Sequence, residues 1–505
     1  MTIQEPTLKD KTARGILWGG LSNGMMQLLN AVFGVVIARI LSREDYGLVG
    51  MLAIFSTIAA SLQESGFVSA LTNKRNATRH DYNSVFWFNI SVSVSIYLVL
   101  WFCAPLIARF FNEPRLLWLS RYAFIGFVVA SLSIVPRAIL FKQLRVKEQS
   151  ITSLVALLAS GTVGVLMAVN GMAYWGIATQ SIVFVLFVAL LSWWFSRFRP
   201  SFDASFRPIK EMFGFSVKML ITNIFNAINN NVFSILFGRF YDSDTVGVYN
   251  QANKWNMMGS QTITGMVQSV AQPMFVEVGP ESARQCQVFR KMLRFTCFIS
   301  FPAMLGLALV SSDFIVLLLT EKWLPSARIL QMLCVAGAFM PVTTLYTNFI
   351  ISRGKSDVYM YNTISMGLVM ILLLCGLHYT KASLLGVTGI PLMVMSYVAL
   401  VILWLLLWHY FLWREVGLSL WKVLNDLFPF LLIAMVAMVV AYYAGKEISI
   451  LYLRLIARVL IAAIVYLALL WLLGAKILRE SLAYLLRRHQ HGMDKTGKEE
   501  DTIID

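Results

Sequence analysis

The feature that most constrains this 505-residue chain is a succession of apolar segments that runs from Ile16 to Leu473. Nearly every window of about 20 residues in this stretch is apolar enough to span a bilayer. Backbone amides have no water partner in lipid, so such segments must form helices, and the alternation typical of β-barrel strands is absent. The sequence therefore predicts an all-α polytopic membrane protein.

We predict about fourteen transmembrane helices separated by short polar connections. Their expected ranges are 15–40, 46–72, 84–104, 116–140, 150–169, 173–195, 213–239, 246–273, 291–311, 326–351, 358–379, 384–411, 425–444 and 450–473. Most basic residues fall in alternate connections, which puts both termini in the cytoplasm by the positive-inside rule. The net charge of +16 follows from these connections, so membrane topology explains it better than nucleic-acid binding does.

An internal repeat divides the chain, because residues 14–50 align with residues 214–250 without a gap. The identical pairs include Asn23 with Asn223, Asn30 with Asn230, Arg39 with Arg239, and Gly47 with Gly247. Duplicated bundles of this kind are typical of transporters. The expected divisions are an N-lobe at 1–196, a cytoplasmic linker at 197–212, a C-lobe at 213–412, helices 13 and 14 at 413–474, and a cytoplasmic tail at 475–505.

Polar residues form faces on four predicted helices, numbers 1, 2, 7 and 8, because they recur at steps of three or four. The candidate substrate-binding residues on these faces are Asn23, Gln27 and Asn30 in helix 1, Asn226 and Asn230 in helix 7, and Lys254 and Gln261 in helix 8. One interpretation is that such residues only hold helices together. Faces that continue for several turns on four helices favour the other interpretation, a water-filled cavity.

Three charges inside predicted spans point to function: Glu64, Lys218 and Lys254. A charge at a helix centre is costly in lipid and usually faces a cavity or a partner. Lys218 is also a substrate-binding candidate, although it lies close enough to the inner boundary to snorkel. Glu64 is the candidate ion-coupling residue, either as a counter-ion for a lysine or as a proton site.

Arg39 and Arg239 end the two matching helices, and each precedes an acidic residue, Glu44 or Asp244. We expect them to bind those acids or helix ends and to fix the turns, in preference to contacting substrate. No Walker or HExxH motif is present, and no His or Cys spacing suggests a metal. The sequence thus favours a transporter over an enzyme, with no catalytic residue, metal or cofactor.

The segment Ala38-Arg-Ile-Leu-Ser-Arg-Glu-Asp-Tyr-Gly47 resembles the opening signature of polysaccharide flippases. Residues 64–71 and 83–89 resemble the next two segments of the same group. Over residues 10–475 the chain is similar to Wzx-type exporters of lipid-linked oligosaccharides, particularly the colanic acid and teichuronic acid exporter branch. This resemblance implies the multidrug/oligosaccharidyl-lipid/polysaccharide exporter superfamily, with two six-helix lobes, a cavity lined by helices 1, 2, 7 and 8, and an extra helix pair. The arginines that the peptidoglycan-precursor branch carries in helix 1 have no counterpart here, which disfavours lipid II as substrate.

The resemblance implies a flippase in the bacterial inner membrane that moves undecaprenyl-pyrophosphate-linked oligosaccharide by alternating access. Its expected partners are that lipid-linked glycan, membrane lipids, Na⁺ or H⁺, and a glycan polymerase. Two alternatives stay open. One is a drug or organic-cation antiporter of the same superfamily, and the other is a membrane glycan polymerase or ligase, which the short outer connections disfavour.

Overall fold

The computed structural model describes residues 8–64, 77–203, 205, 207–278, 281–383, 386–475 and 477. Within these ranges, the side chains of 8–21, 62–64, 207–222, 272–273 and 276 lie outside the description. Of the cytoplasmic tail predicted at 475–505, only residues 475 and 477 are described.

A helix is present at each of the fourteen predicted spans within the described ranges. They are α1 (Leu8–Ile40), α2 (Arg43–Glu64), α3 (Arg79–Phe110), α4 in two segments (Leu116–Ala123 and Ile125–Lys142), α5 (Val146–Val169), α6 (Ala173–Ser196), α7 (Arg207–Phe240), α8 (Ser243–Glu277), α9 (Ser282–Leu319), α10 (Leu324–Ser352), α11 (Ser356–Thr380), α12 (Gly389–Val416), α13 (Leu420–Ala444) and α14 (Leu451–Leu472). A single 3-10 turn, Glu321–Trp323, joins α9 to α10. The predicted all-α architecture is confirmed.

Eleven helices in the described part of the chain are long and apolar enough to cross a membrane. The least hydropathic of these is α1, and α2, α7 and α8 are not among them. These four helices are the ones on which the sequence places polar faces. The apolar helices confirm a multi-pass membrane protein.

The chain forms two compact units. The first comprises Met1–Gln251, Leu318–Ser326 and Met360–Tyr379, and the second comprises Ala252–Leu317, Ala327–Tyr359 and Thr380–Asp505. The first unit therefore includes α1–α7, the first turns of α8, the 3-10 turn and most of α11. The predicted lobe boundaries stay a prediction.

In the second unit, two buried carboxylates fix α13 and α14 to α9. Asp426 of α13 accepts from Arg290 of α9 at 2.5 and 3.1 Å. Asp313 of α9 accepts from Arg454 of α14 at 2.6 and 3.0 Å, and from Arg458 at 3.0 Å. Arginine pairs with carboxylates through two parallel bonds, which compensates part of the cost of burying charge. At 1.5 Å per residue, the two clusters lie about 35 Å apart along α9, so they hold the helix pair near both ends.

In the first unit, the described part of the linker is docked on the first turns of α3. Asn83 donates to the hydroxyl of Ser201 at 2.6 Å and accepts from its backbone amide at 3.2 Å. The indole of Trp87 donates to the carbonyl of Ser201 at 2.9 Å. His80 lies 2.9 Å from a carboxylate oxygen of Asp203. The backbone amide of Ser205 also donates to the hydroxyl of Ser84 at 2.9 Å, so these contacts hold the described linker against α3.

Candidate functional site

The polar face predicted on α1 is accessible in the structure. Asn23, Gln27 and Asn30 are all exposed. Apolar side chains on the same stretch are exposed as well, including Leu28 at 69% and Val32 at 57%. The three polar side chains are therefore free to meet a ligand, but exposure alone does not separate a cavity face from a lipid face on this helix.

The asparagines of α7 divide between packing and exposure. Asn229 donates to the carbonyl of Thr363 in α11 at 3.0 Å, and a Cβ on Gly367 would lie 2.0 Å from its amide oxygen. Asn229 therefore holds two helices together, as the packing interpretation expects. Asn230 is exposed, and Asn226 is half-buried. Of the α7 candidates, Asn230 has the accessibility that a substrate-binding residue requires.

Helix α8 presents a buried polar side and a more open one. Gln251 and Asn256 are almost fully buried. Lys254 is half-buried and Gln261 is exposed, and their separation of seven residues places both on one face about 10 Å apart. Among the described residues, no acceptor or counter-ion contacts Lys254. The more open side of α8 thus carries one cation and one amide two turns apart.

Two of the predicted charges have side chains outside the description. These are Lys218 in α7 and Glu64 at the end of α2. The hydroxyls of Thr57 and Ser61, on the same face of α2 as Glu64, donate to carbonyls one turn earlier at 2.8 Å. Such back-bonding satisfies the hydroxyls within their own helix. The ion-coupling role of Glu64 and the substrate role of Lys218 stay predictions.

Arg39 and Arg239 bind the ends of two further helices in a reciprocal arrangement. Arg39 of α1 donates to the carbonyl of Leu318 in the last turn of α9 at 2.6 Å. Arg239 of α7 donates to the carbonyl of Phe110, the last residue of α3, at 2.9 Å. Carbonyls at helix C-termini lack intrahelical donors and carry partial negative charge. The predicted binding of these arginines to helix ends is confirmed.

The same side of the first unit brings the α1–α2 turn against the α7–α8 turn. Arg43 pairs with Asp244 at 2.8 Å. A Cβ on Gly47 would lie 1.7 Å from the carbonyl oxygen of Ser243, and one on Gly247 would lie 1.9 Å from that of Arg43. Only glycine permits backbones to approach this closely. We call the contact of residues 39–47 with residues 239–247 the outer junction, since both turns are external in the predicted orientation.

Four residues that the sequence analysis did not single out complete the outer junction. Arg115 pairs with Glu44 at 3.3 Å and with Glu113 at 2.8 Å. The bond from Arg115 holds the pKa of the Glu113 carboxyl below its usual value. Trp323 is fully buried and donates to the carbonyl of Ala38 at 2.9 Å, and Lys322 donates to the carbonyl of Leu41 at 2.7 Å. Arg115 lies five residues after Phe110, and Trp323 lies five residues after Leu318. This equal spacing is the signal that could have found both residues.

Comparisons with known proteins agree with this architecture. The polysaccharide biosynthesis protein family matches residues 36–328, which is more than half of the chain. The chain is 24% identical over 358 residues to lipopolysaccharide biosynthesis protein WzxC of Escherichia coli, covering 70% of this chain and 72% of that protein. It is 26% identical over 361 residues to teichuronic acid biosynthesis protein TuaB of Bacillus subtilis, covering 70% and 74% of the two chains.

Solved structures share the fold at low sequence identity. The lipid II flippase MurJ in an inward closed conformation superimposes with a TM-score of 0.75 at 15% identity, covering 92% of this chain and all of MurJ. An inward-facing multidrug transporter of the MATE family superimposes with a TM-score of 0.60 at 16% identity, covering 78% of this chain and 96% of the transporter. Together with the family match, these likenesses confirm the predicted group: the chain belongs to the polysaccharide biosynthesis protein family, and it shares the fold of MurJ and of the MATE transporter.

Proposed function

We propose that the protein is a flippase that moves a lipid-linked oligosaccharide across the bacterial inner membrane by alternating access, with both termini in the cytoplasm. The observation that carries this proposal is the cation-bearing polar face of α8 within a flippase fold. Relatives named for lipopolysaccharide, teichuronic acid and succinoglycan biosynthesis or transport support a glycan substrate. The substrate that fits best is an undecaprenyl-pyrophosphate-linked repeat unit.

In this proposal, the chain supplies charge for the pyrophosphate and amides for the sugars. Lys254 attracts the pyrophosphate, because its ammonium has no counter-ion among the described residues and is available to an anionic ligand. Gln261, two turns along α8, and the exposed asparagines of α1 and α7 hydrogen-bond sugar hydroxyls. Amides both donate and accept, so they recognise hydroxyls with little selectivity.

The test is export in a flippase-null strain that carries Lys254→Gln, with Lys254→Arg and Lys446→Gln as controls. Lys446 is exposed in the α13–α14 connection, so its loss changes net charge equally. A charge-assisted hydrogen bond contributes about 1.5–3 kcal/mol, so export by Lys254→Gln should fall roughly 10- to 150-fold. Lys254→Arg and Lys446→Gln should retain most activity. Unchanged export after Lys218 and Lys254 are both replaced by alanine would refute a role for either lysine.

Energy coupling is a separate part of the proposal. No nucleotide-binding motif is present in the sequence, so we infer coupling to a Na⁺ or H⁺ gradient or to the membrane potential, with Glu64 as the ion-linked residue. Transport into vesicles should then collapse without the gradient, and Glu64→Gln should make it insensitive to the gradient. A glycan polymerase partner would be detected by cross-linking in cells that assemble the polymer.

The fold similarity to a multidrug transporter supports a second candidate, an antiporter of organic cations. Such a protein needs anionic groups where its ligand binds, whereas the described open side of α8 carries a cation. A drug-susceptibility panel on a deletion strain separates the two functions. Sensitisation to organic cations with normal surface glycan would favour the antiporter.

A further inference from the structure

Arg121 in the first segment of α4 is held between two tryptophans, away from the outer junction. Its guanidinium carbon lies 4.7 Å from the ring centre of Trp101 in α3 and 5.0 Å from that of Trp118 in α4. The ring of Tyr97 packs edge-on against Trp101 at 5.8 Å. Indole faces attract cations more strongly than the other aromatic rings do. The rings therefore fix the position of this charge.

The rings do not satisfy the hydrogen bonds of Arg121. A guanidinium has five N–H donors. Within the part of the chain that the structure describes, Arg121 has neither an ion pair nor a hydrogen-bond acceptor, and its Nε is buried without a partner. Leaving such donors unpaired next to an apolar span is costly, so an acceptor from outside the described protein residues would be strongly favoured.

The flank that carries Arg121 exposes large apolar side chains. Trp118 is 60% exposed, and Phe102 next to Trp101 is 76% exposed. On another side of α4, the hydroxyl of Tyr122 lies 2.8 Å from that of Thr179 in α6, which fixes the orientation of α4. Arg121 is five residues into α4, about 8 Å below its start, so its long side chain is within reach of lipid headgroups.

We propose that Arg121, Trp101 and Trp118 form a binding site for the phosphate of a lipid. The leaflet is the one beside the α3–α4 connection, which is the outer leaflet in the predicted orientation. The planar guanidinium matches two phosphate oxygens at once. Tryptophan is enriched at the depth of lipid headgroups, where one side of the ring is apolar and the other polar. The site does not depend on the proposed transport function, because it is defined by binding alone.

The phosphate has two possible sources, and the test uses one probe for each. These probes are phosphatidylglycerol, for bulk anionic lipid, and undecaprenyl pyrophosphate, for a carrier lipid. Binding of each to the purified full-length protein is titrated by native mass spectrometry. The variants are Arg121→Gln, Arg121→Lys and Trp118→Leu. The matched control is Arg109→Gln, since Arg109 is an exposed arginine near the same end of α3.

Arg121→Gln should weaken binding of at least one probe by tenfold or more, because it removes a charge-assisted bidentate contact. Arg121→Lys should weaken it less, and Trp118→Leu by about two- to fivefold through the lost ring. Arg109→Gln should bind as the parent does. Size-exclusion profiles and thermal unfolding identify any variant that fails to fold. If Arg121→Gln fails to fold, Trp118→Leu, which changes an exposed position, still tests the site.

Each outcome decides the proposal. Weakened binding of phosphatidylglycerol alone supports a site for bulk lipid, and weakened binding of undecaprenyl pyrophosphate alone supports a site for the carrier lipid. Weakened binding of both supports a shared phosphate site. Parental affinity of folded Arg121→Gln for both probes, or equal losses in Arg121→Gln and Arg109→Gln, overturns it. A failure of transport in the Lys254 variants would leave these results unaffected.

Discussion

Replacing Gly47 with alanine should force the outer junction apart. The new Cβ would lie 1.7 Å from the carbonyl oxygen of Ser243, whereas ordinary van der Waals contact begins at 3.4 Å. The two backbones must therefore separate by about 1.7 Å. The neighbouring carbonyl belongs to the main chain and cannot rotate away as a side chain would. Alanine otherwise favours a helix over glycine by about 1 kcal/mol, so any loss must come from this contact.

We expect the stability of the closed junction relative to the open one to fall by at least about 3 kcal/mol, which is the upper end of the usual cost of overpacking. That free energy corresponds to a shift of roughly 150-fold in the balance between closed and open junctions. Gly247→Ala should act similarly, since its Cβ would lie 1.9 Å from the carbonyl oxygen of Arg43. The double variant should be less than additive, because either substitution alone already separates the backbones.

The assay is labelling of a cysteine at Ser243 with a membrane-impermeant maleimide, in a background without the five native cysteines. Ser243 is buried at the junction, so the parent should react slowly. Gly47→Ala should raise the labelling rate by tenfold or more. The control is Gly24→Ala in α1, where a Cβ would meet nothing within 4 Å and labelling should stay slow.

Two results would refute this reasoning. One is a folded Gly47→Ala protein whose Ser243→Cys labelling stays within twofold of the parent. The other is an equal rise in the Gly24→Ala control, which would trace the effect to helix propensity and not to the close contact.

Three further predictions concern other contacts. Asp313→Asn should lower the stability of the second unit by about 3–5 kcal/mol, because it leaves two arginines without their buried partner. Thermal unfolding should show this loss. Glu447→Gln, on the exposed α13–α14 connection, should not change the stability. The lowered pKa of Glu113 contributes stability at pH values above the ordinary glutamate pKa, and this stability is lost as pH falls through the lowered value. Acid should therefore destabilise the junction in the parent, and Glu113→Gln should remove this pH dependence. In the Ser243→Cys labelling assay, Trp323→Phe should destabilise the closed junction by about 1–3 kcal/mol, because it leaves a buried carbonyl unpaired. Arg115→Gln should destabilise it by under about 1 kcal/mol, because the ion pair that it removes is exposed. Equal effects of the two substitutions would contradict this.

The fold could be predicted from the sequence because few backbone structures are possible for an apolar chain in lipid. Each segment of about 20 apolar residues must be a helix, so helix number and order follow from the pattern. The interruption of α4 at Phe124 could not be predicted, since Gly126, two residues later, is no different from Gly161 and Gly164, which lie inside an unbroken helix. The anchoring of α13 and α14 to α9 was equally inaccessible, because Asp313 and Asp426 meet arginines more than a hundred residues away in sequence.

The candidate site was predictable only as a set of helix faces. Periodicity gives the direction of a side chain on its own helix but not the helix that faces it. Asn229 and Asn230 illustrate the limit, because they are adjacent in sequence and equally polar. The first binds the backbone of α11, and the second is exposed. The outer junction was partly predictable, since Arg39 and Arg239 stand at matching helix ends.

The repeat extends in structure beyond the residues that match in sequence. The carbonyls of Phe110 and Leu318, which receive the two arginines, are each followed two residues later by a residue with positive φ, Asn112 at 54° and Thr320 at 95°. Three residues further on, each copy places a side chain into the junction: Arg115, which pairs with Glu44, and Trp323, which donates to a buried carbonyl.

The two copies therefore share a residue with positive φ at the same spacing but use different chemistry to close the junction. The contact of Arg115 is exposed and is screened by salt, whereas that of Trp323 is dry and is not. In a symmetric frame, such a difference makes one half of the junction easier to separate than the other. We infer that the outer junction opens first where the α3–α4 connection meets α2 and last where the 3-10 turn meets α1. A duplicated scaffold can in this way give a directional opening, with the direction set by residues at which the two copies have diverged.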